Sequence, residues 1–227
     1  MKSSVKKITA AVLSVLFLFA TSAFAGPPLI CHAFDIGSAK SLPWISHDWN
    51  LTGSESYDTK NLAADTIAIL DSDSTVLVHM ETLRRATLFG RKDPVAAKRL
   101  LVTLVARADS SANSLSGALA SFDLGYLAEA YKQWLGESDP AKGVDGYGFV
   151  KKAIQLRGND SEMELAAALI TLNGPASDRQ EHAQKAIAGA KSDALLARNL
   201  TAHFWSTPSQ TLAEMISRNP AVKVAQQ

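Results

Sequence analysis

The stretch Leu127-Ala128-Glu129-Ala130-Tyr131-Lys132-Gln133-Trp134-Leu135-Gly136 is echoed 38 residues later by Leu165-Ala166-Ala167-Ala168-Leu169-Ile170-Thr171-Leu172-Asn173-Gly174. Downstream of each copy a second pair matches at an offset of 33, Val150-Lys151-Lys152-Ala153-Ile154 against Ala183-Gln184-Lys185-Ala186-Ile187. The offsets differ because the connection from Glu137 to Gly148 is about five residues longer than its counterpart. A period in the thirties with two helices per unit is what stacked helical hairpins produce, since each hairpin must bury its apolar face against a neighbour.

Around this echo the punctuation is that of consecutive helices. From Asp58 onward, Ala/Leu-rich stretches of 12 to 18 residues are broken by Gly, Pro, Asn or Asp. The pattern predicts helices over 58–70, 74–89, 94–107, 112–135, 147–156, 161–172, 178–190, 193–204 and 209–218. Ser74 is positioned to cap the second helix and Gly90 to end it, and Asp93-Pro94 supplies an N-cap and a first-turn proline for the third. Leu62, Thr66, Ile69 and Leu70 form one buried stripe, and Leu100, Leu101, Leu104 and Val105 another. Gly146-Tyr147-Gly148 reads as a linker between helices. No alternating apolar-polar segment competes, so the fold class is all-α: short antiparallel helix pairs stacked as a small solenoid, or an irregular helical bundle.

Over about 112–190 the residues resemble the tetratricopeptide pattern. Leu127, Ala128 and Tyr131 fit its first helix, and Ala153 with Ile154 fits the end of its second. The second unit has Leu169 where the pattern shows Tyr, and both lack the usual tryptophan and closing proline. The resemblance implies a helical-repeat fold whose concave face holds a protein or peptide partner.

The first 25 residues have a different character. Lys2, Lys6 and Lys7 precede an uncharged apolar run from Ile8 to Ala20, followed by Thr21-Ser22-Ala23-Phe24-Ala25 and then Gly26-Pro27-Pro28. This is the layout of a secretory signal peptide cleaved between Ala25 and Gly26. Its apolar core is too short for the about 20 residues of a membrane span. Cys31 follows Leu29-Ile30 and lacks the small residue that a lipoprotein signal places before its cysteine. The expectation is a soluble periplasmic or secreted protein with no spanning segment. It has a signal peptide at 1–25, a loop-rich segment at 26–57 and a helical domain at 58–227.

Catalytic signatures are sparse. There is no Gly-x-Ser-x-Gly elbow, His-Glu-x-x-His, phosphate-binding Gly-x-x-x-x-Gly-Lys or Cys-x-x-Cys-His in the chain. One cysteine excludes an intramolecular disulfide framework and a cysteine-built zinc cluster. Cys31, His32 and Asp35, with His47 and Asp48 further on, are the one cluster of reactive types. Adjacent residues of an extended chain point opposite ways, which separates Cys31 from His32. His79, His182 and His203 have no partner histidine at helical spacing and read as surface or capping residues.

Formal net charge is +1, or −2 once the three leader lysines are removed, too small for bulk nucleic-acid attraction. The total is a cancellation. Residues 48–75 hold six acids and one base, while residues 79–107 hold seven bases and two acids. Neighbouring helices with complementary rims account for such blocks. The alternative is a basic face of Arg84, Arg85, Arg91, Lys92, Lys98 and Arg99 that meets an acidic partner or an anionic membrane. Taken together, the sequence points to an exported, non-enzymatic scaffold or interaction module without cofactor, of undetermined oligomeric state. The alternative is a metal- or thiol-dependent protein that uses Cys31, His32, Asp35 and His47.

Overall fold

In a computed structural model, residues 27–46, 49–72, 74–110, 115–158, 160–173 and 175–204 are described. The leader with Ala25 and Gly26, the residues His47, Asp48 and Trp205, and the helix expected at 209–218 lie outside them. Among the described residues the regular structure is entirely helical. The helices are α1 (Leu62–Leu70), α2 (Val76–Lys92), α3 (Pro94–Ser110), α4 (Leu115–Trp134), α5 (Gly146–Arg157), α6 (Ser161–Ile170), α7 (Ala176–Gly189) and α8 (Ala194–Phe204). None of these is long and apolar enough to cross a membrane.

Local signals account for most of the boundaries. Asp93 accepts the N–H groups of Val95 and Ala96 and so caps α3. Asp160 does the same for Glu162 and Met163 at α6. Gly158 ends α5 in the left-handed conformation, φ 72°. Two expected boundaries are different. Helix α2 runs through Gly90 to Lys92, because a helical Gly90 lets α3 approach: a Cβ there would sit 3.0 Å from that of Ala97. Gly146-Tyr147-Gly148 is the first turn of α5 rather than a linker. Gly125 of α4 and Gly146 of α5 meet backbone to backbone, a Cβ on Gly125 lying 2.5 Å from the Gly146 carbonyl oxygen.

The most extensive helix contacts are α4 with α5 and α6 with α7, the two hairpins that carry the sequence echo. Some matched positions have matched burial and others do not: Leu135 is buried where Asn173 is exposed, and Val150 is buried where Ala183 is only partly so. Leu127 and Leu165, Ala128 and Ala166, Tyr131 and Leu169, and Ala153 and Ala186 are all fully buried, and Ile154 and Ile187 are nearly so. Helix α2 packs against α1, α3 and α4, and also touches α6, so the array folds back on itself at that end. Of the stripe expected on α3, Leu100, Leu101 and Leu104 are buried, but Val105 is 37% exposed, since the neighbours α1, α2 and α4 leave that edge uncovered.

Residues 27–58 form neither helix nor strand where described, yet Leu29, Ile30, Phe34, Leu42 and Leu51 belong to the same apolar core as the helices. Each such side chain contributes about 1.5–3 kcal/mol by leaving water. The segment is therefore a strap welded to the helices. Leu29 donates its N–H to Gln133 of α4, and Asp35 reaches α8 through Asn199. The chain then turns back along α2, with Ser41 at Thr82, Leu42 at Arg85 and the Tyr57 ring tilted against that of Phe89.

Candidate functional site

Glu81, fully buried on α2, organises the seam between strap and helices. Its carboxylate accepts the N–H of Phe34 at 2.9 Å, Nε and Nη2 of Arg84 at 2.7 and 3.0 Å, and Nε of Arg85 at 2.7 Å. Arg84 and Arg85 each spend a further N–H on the strap, donating to the carbonyls of Ile30 and Leu42. Trp44 lies against both guanidinium groups, 4.4 Å from that of Arg84. A buried carboxylate is tolerated only when paired and hydrogen-bonded, and here both its oxygens are engaged. The geometry makes a clasp for the strap. It also removes Arg84 from any basic surface, since that side chain is 1% exposed.

The residues singled out in the sequence lie around this clasp with separate partners. Cys31 is a free, half-buried thiol; burial pushes its pKa up and the nearby Arg84 opposes the rise. His32 is exposed, its ring edge-on to His203 at 5.7 Å. Asp35 accepts Arg198 Nε at 2.7 Å and the N–H of Gly37, contacts that hold its carboxyl below the usual range. His47 lies outside the described residues, and among those described no three His, Cys, Asp or Glu side chains are grouped as a metal would need. His203 stacks on Phe34 at 4.2 Å and donates through Nδ1 to the Asn199 carbonyl. Its burial lowers the imidazole pKa to about 4, which leaves it neutral at physiological pH.

Two histidines expected at the surface are instead buried beside acids. His79 Nδ1 faces Asp123 Oδ1 at 2.6 Å, and Asp123 also pairs with Arg107, which reaches Asp71. His182 Nδ1 pairs with the buried Glu164, while its Nε2 is 2.7 Å from the Tyr147 hydroxyl. The partners are 44 and 18 residues away in sequence, so no local spacing could have revealed them. The Tyr147 ring borders a cleft of about 260 Å³ between α5 and α7 with Lys151, Asp178 and Glu181. Burial and the neighbouring acids push the Tyr147 phenol up to about 12, so it stays protonated. The Arg107–Asp71 pair joins α3 to the end of α1, an ion pair between the acidic and the basic block.

At the far end of the strap the surface changes character. Trp49 is 48% exposed, and its ring lies 6.4 Å from that of Trp134 at 29°. The Arg91 guanidinium sits 4.4 Å from the Trp134 ring. These side chains, with Asn50, Thr52 and Lys92, line an open cleft of about 490 Å³ floored by Leu51 and Leu88. The chain matches no protein-family model, no curated protein and no solved structure.

Proposed function

We infer that the chain is an exported helical protein that works by holding a partner rather than by transforming a substrate. The leader-like residues 1–25 support export. The shared burial of Leu127 with Leu165, Tyr131 with Leu169 and Ala153 with Ala186 in the hairpins α4/α5 and α6/α7 supports reading them as repeated, tetratricopeptide-like units. In such an array a partner is held on the helix surface, but here α2 is clasped by the chain's own strap.

The observation that carries the reading is therefore the strap's outer edge. Five large apolar strap side chains are buried, whereas Ile45 is 69% and Trp49 48% exposed beside Trp134. Exposed aromatic rings rimmed by polar groups mark interaction surfaces. The test is a photo-crosslinking residue placed at Trp49 in secreting cells, with Val102 on α3, which is more exposed, as control. Specific adducts at 49 and none at 102 are expected; identical behaviour at both positions overturns the reading. Fractionation in the same cells, with N-terminal sequencing of the exported product, is expected to find Gly26 as its first residue.

A further inference from the structure

We propose that the Trp49–Arg91 cleft binds an acidic saccharide, a pyranose ring that carries a carboxylate. The inference rests on the binding reading above and names the chemistry of its ligand.

Arg91 is the starting point. Arg84, Arg85, Arg99, Arg107, Arg157, Arg179 and Arg198 each make a hydrogen bond or an ion pair. Among the described arginines only Arg91 makes neither; it is exposed, and its guanidinium rests on the Trp134 ring. A planar fork of donors held on an indole face is prepared for a carboxylate, which it can take through two parallel N–H···O bonds. Lys92, also exposed, adds a second cation, and among the described residues lining the cleft Glu55 is the one carboxylate. The local balance is positive in a chain whose formal total is near zero.

The second component is the half-open ring of Trp49. An indole face exposed on a rigid support suits the flat C–H face of a sugar. Thr52 beside it brings a hydroxyl to the cleft lining. Leu51 and Leu88 line the same cleft and add apolar surface beside the indole. The cleft's volume of about 490 Å³ admits a disaccharide.

The test titrates the full mature chain with digalacturonate, following tryptophan fluorescence and heat, with cellobiose and tetraglutamate as comparison probes. Saturable binding of digalacturonate is expected in about the millimolar range. Cellobiose should bind about tenfold more weakly through loss of the charged fork. Arg91→Gln should bring digalacturonate down to the cellobiose level, and Trp49→Ala should abolish both signals. Thermal melts of the variants check folding; both side chains lie at the surface, so unchanged melting temperatures are expected. Absence of saturation by digalacturonate up to about 10 mM overturns the proposal, as does equal binding of cellobiose or preferential binding of tetraglutamate. If digalacturonate fails while the crosslinker at Trp49 still gives specific adducts, the saccharide assignment falls and the binding reading stands. If both fail, both are overturned.

Discussion

Glu162 of α6 accepts the backbone N–H of Leu77 at 2.9 Å, so the first turn of α2 is capped by a carboxylate 85 residues away. Thr75, the residue before that turn, makes no capping bond with its own side chain. The contact ties the start of the central helix to the second hairpin, while Ser74, expected as the cap, lies one residue before the cap position and donates its hydroxyl to the Ile69 and Ser72 carbonyls. Burial raises the Glu162 pKa, with the Leu77 N–H acting in the opposite direction. A raised native pKa means that the folded chain holds this proton more tightly than the unfolded one. The contribution of Glu162 is therefore greatest below its unfolded pKa and is lost as pH rises through the folded value. Glu162→Gln keeps an acceptor without the charge. Urea unfolding at several pH values should show the variant gaining on the parent as pH rises from about 4 to 7, and parallel curves would contradict this.

Glu81 holds two arginines and one strap amide at once. Glu81→Ala should destabilise the protein by about 3–5 kcal/mol, because it strands buried Arg84 rather than merely deleting a contact. Limited proteolysis supplies a local readout. Gly37 to Lys40 are exposed on the turn of the strap, and cleavage there should accelerate more than global unfolding accounts for once the clasp is cut.

His203 gives the opposite pH sign to Glu162. Its pKa is lowered to about 4 chiefly by burial, against an ordinary value of 6.5. The unfolded chain therefore binds a proton that the folded chain refuses, and stability falls as pH drops through the window between those values. The loss attributable to this residue is on the order of 3 kcal/mol. His203→Gln should flatten the acid limb of the stability profile, and the imidazole resonances should titrate near the low value.

Gly125→Ala should disrupt the α4–α5 contact. The added methyl would stand 2.5 Å from the Gly146 carbonyl oxygen and 2.9 Å from Phe149 Cβ, so backbone must move. A cost of about 1–3 kcal/mol is expected despite the better helix propensity of alanine. At Gly37, where φ is 60° and nothing crowds the site, the cost should be only the conformational one, about 1 kcal/mol. Melting temperatures of the two variants compare packing with backbone strain.

The all-helical class and most helix limits were legible in the sequence because their causes are local. Asp93 caps amides two and three residues on, Gly158 turns the chain at its own φ, and the spacing of Leu100, Leu101 and Leu104 sets the buried face of α3. The echo between 127–136 and 165–174 falls on α4 and α6, where Leu127 and Leu165, and Tyr131 and Leu169, are alike buried while Leu135 and Asn173 differ. Tertiary structure alone decided what depends on partners distant in the chain. That Cys31, His32 and Asp35 have separate contacts, that His79 meets Asp123, that Gly146 meets Gly125, and that the strap occupies α2 are all matters of long-range approach. No periodicity encodes them. Arg91 makes the same point: the sequence shows seven bases between 79 and 107, and only the fold reveals which of the arginines is left with donors to spare.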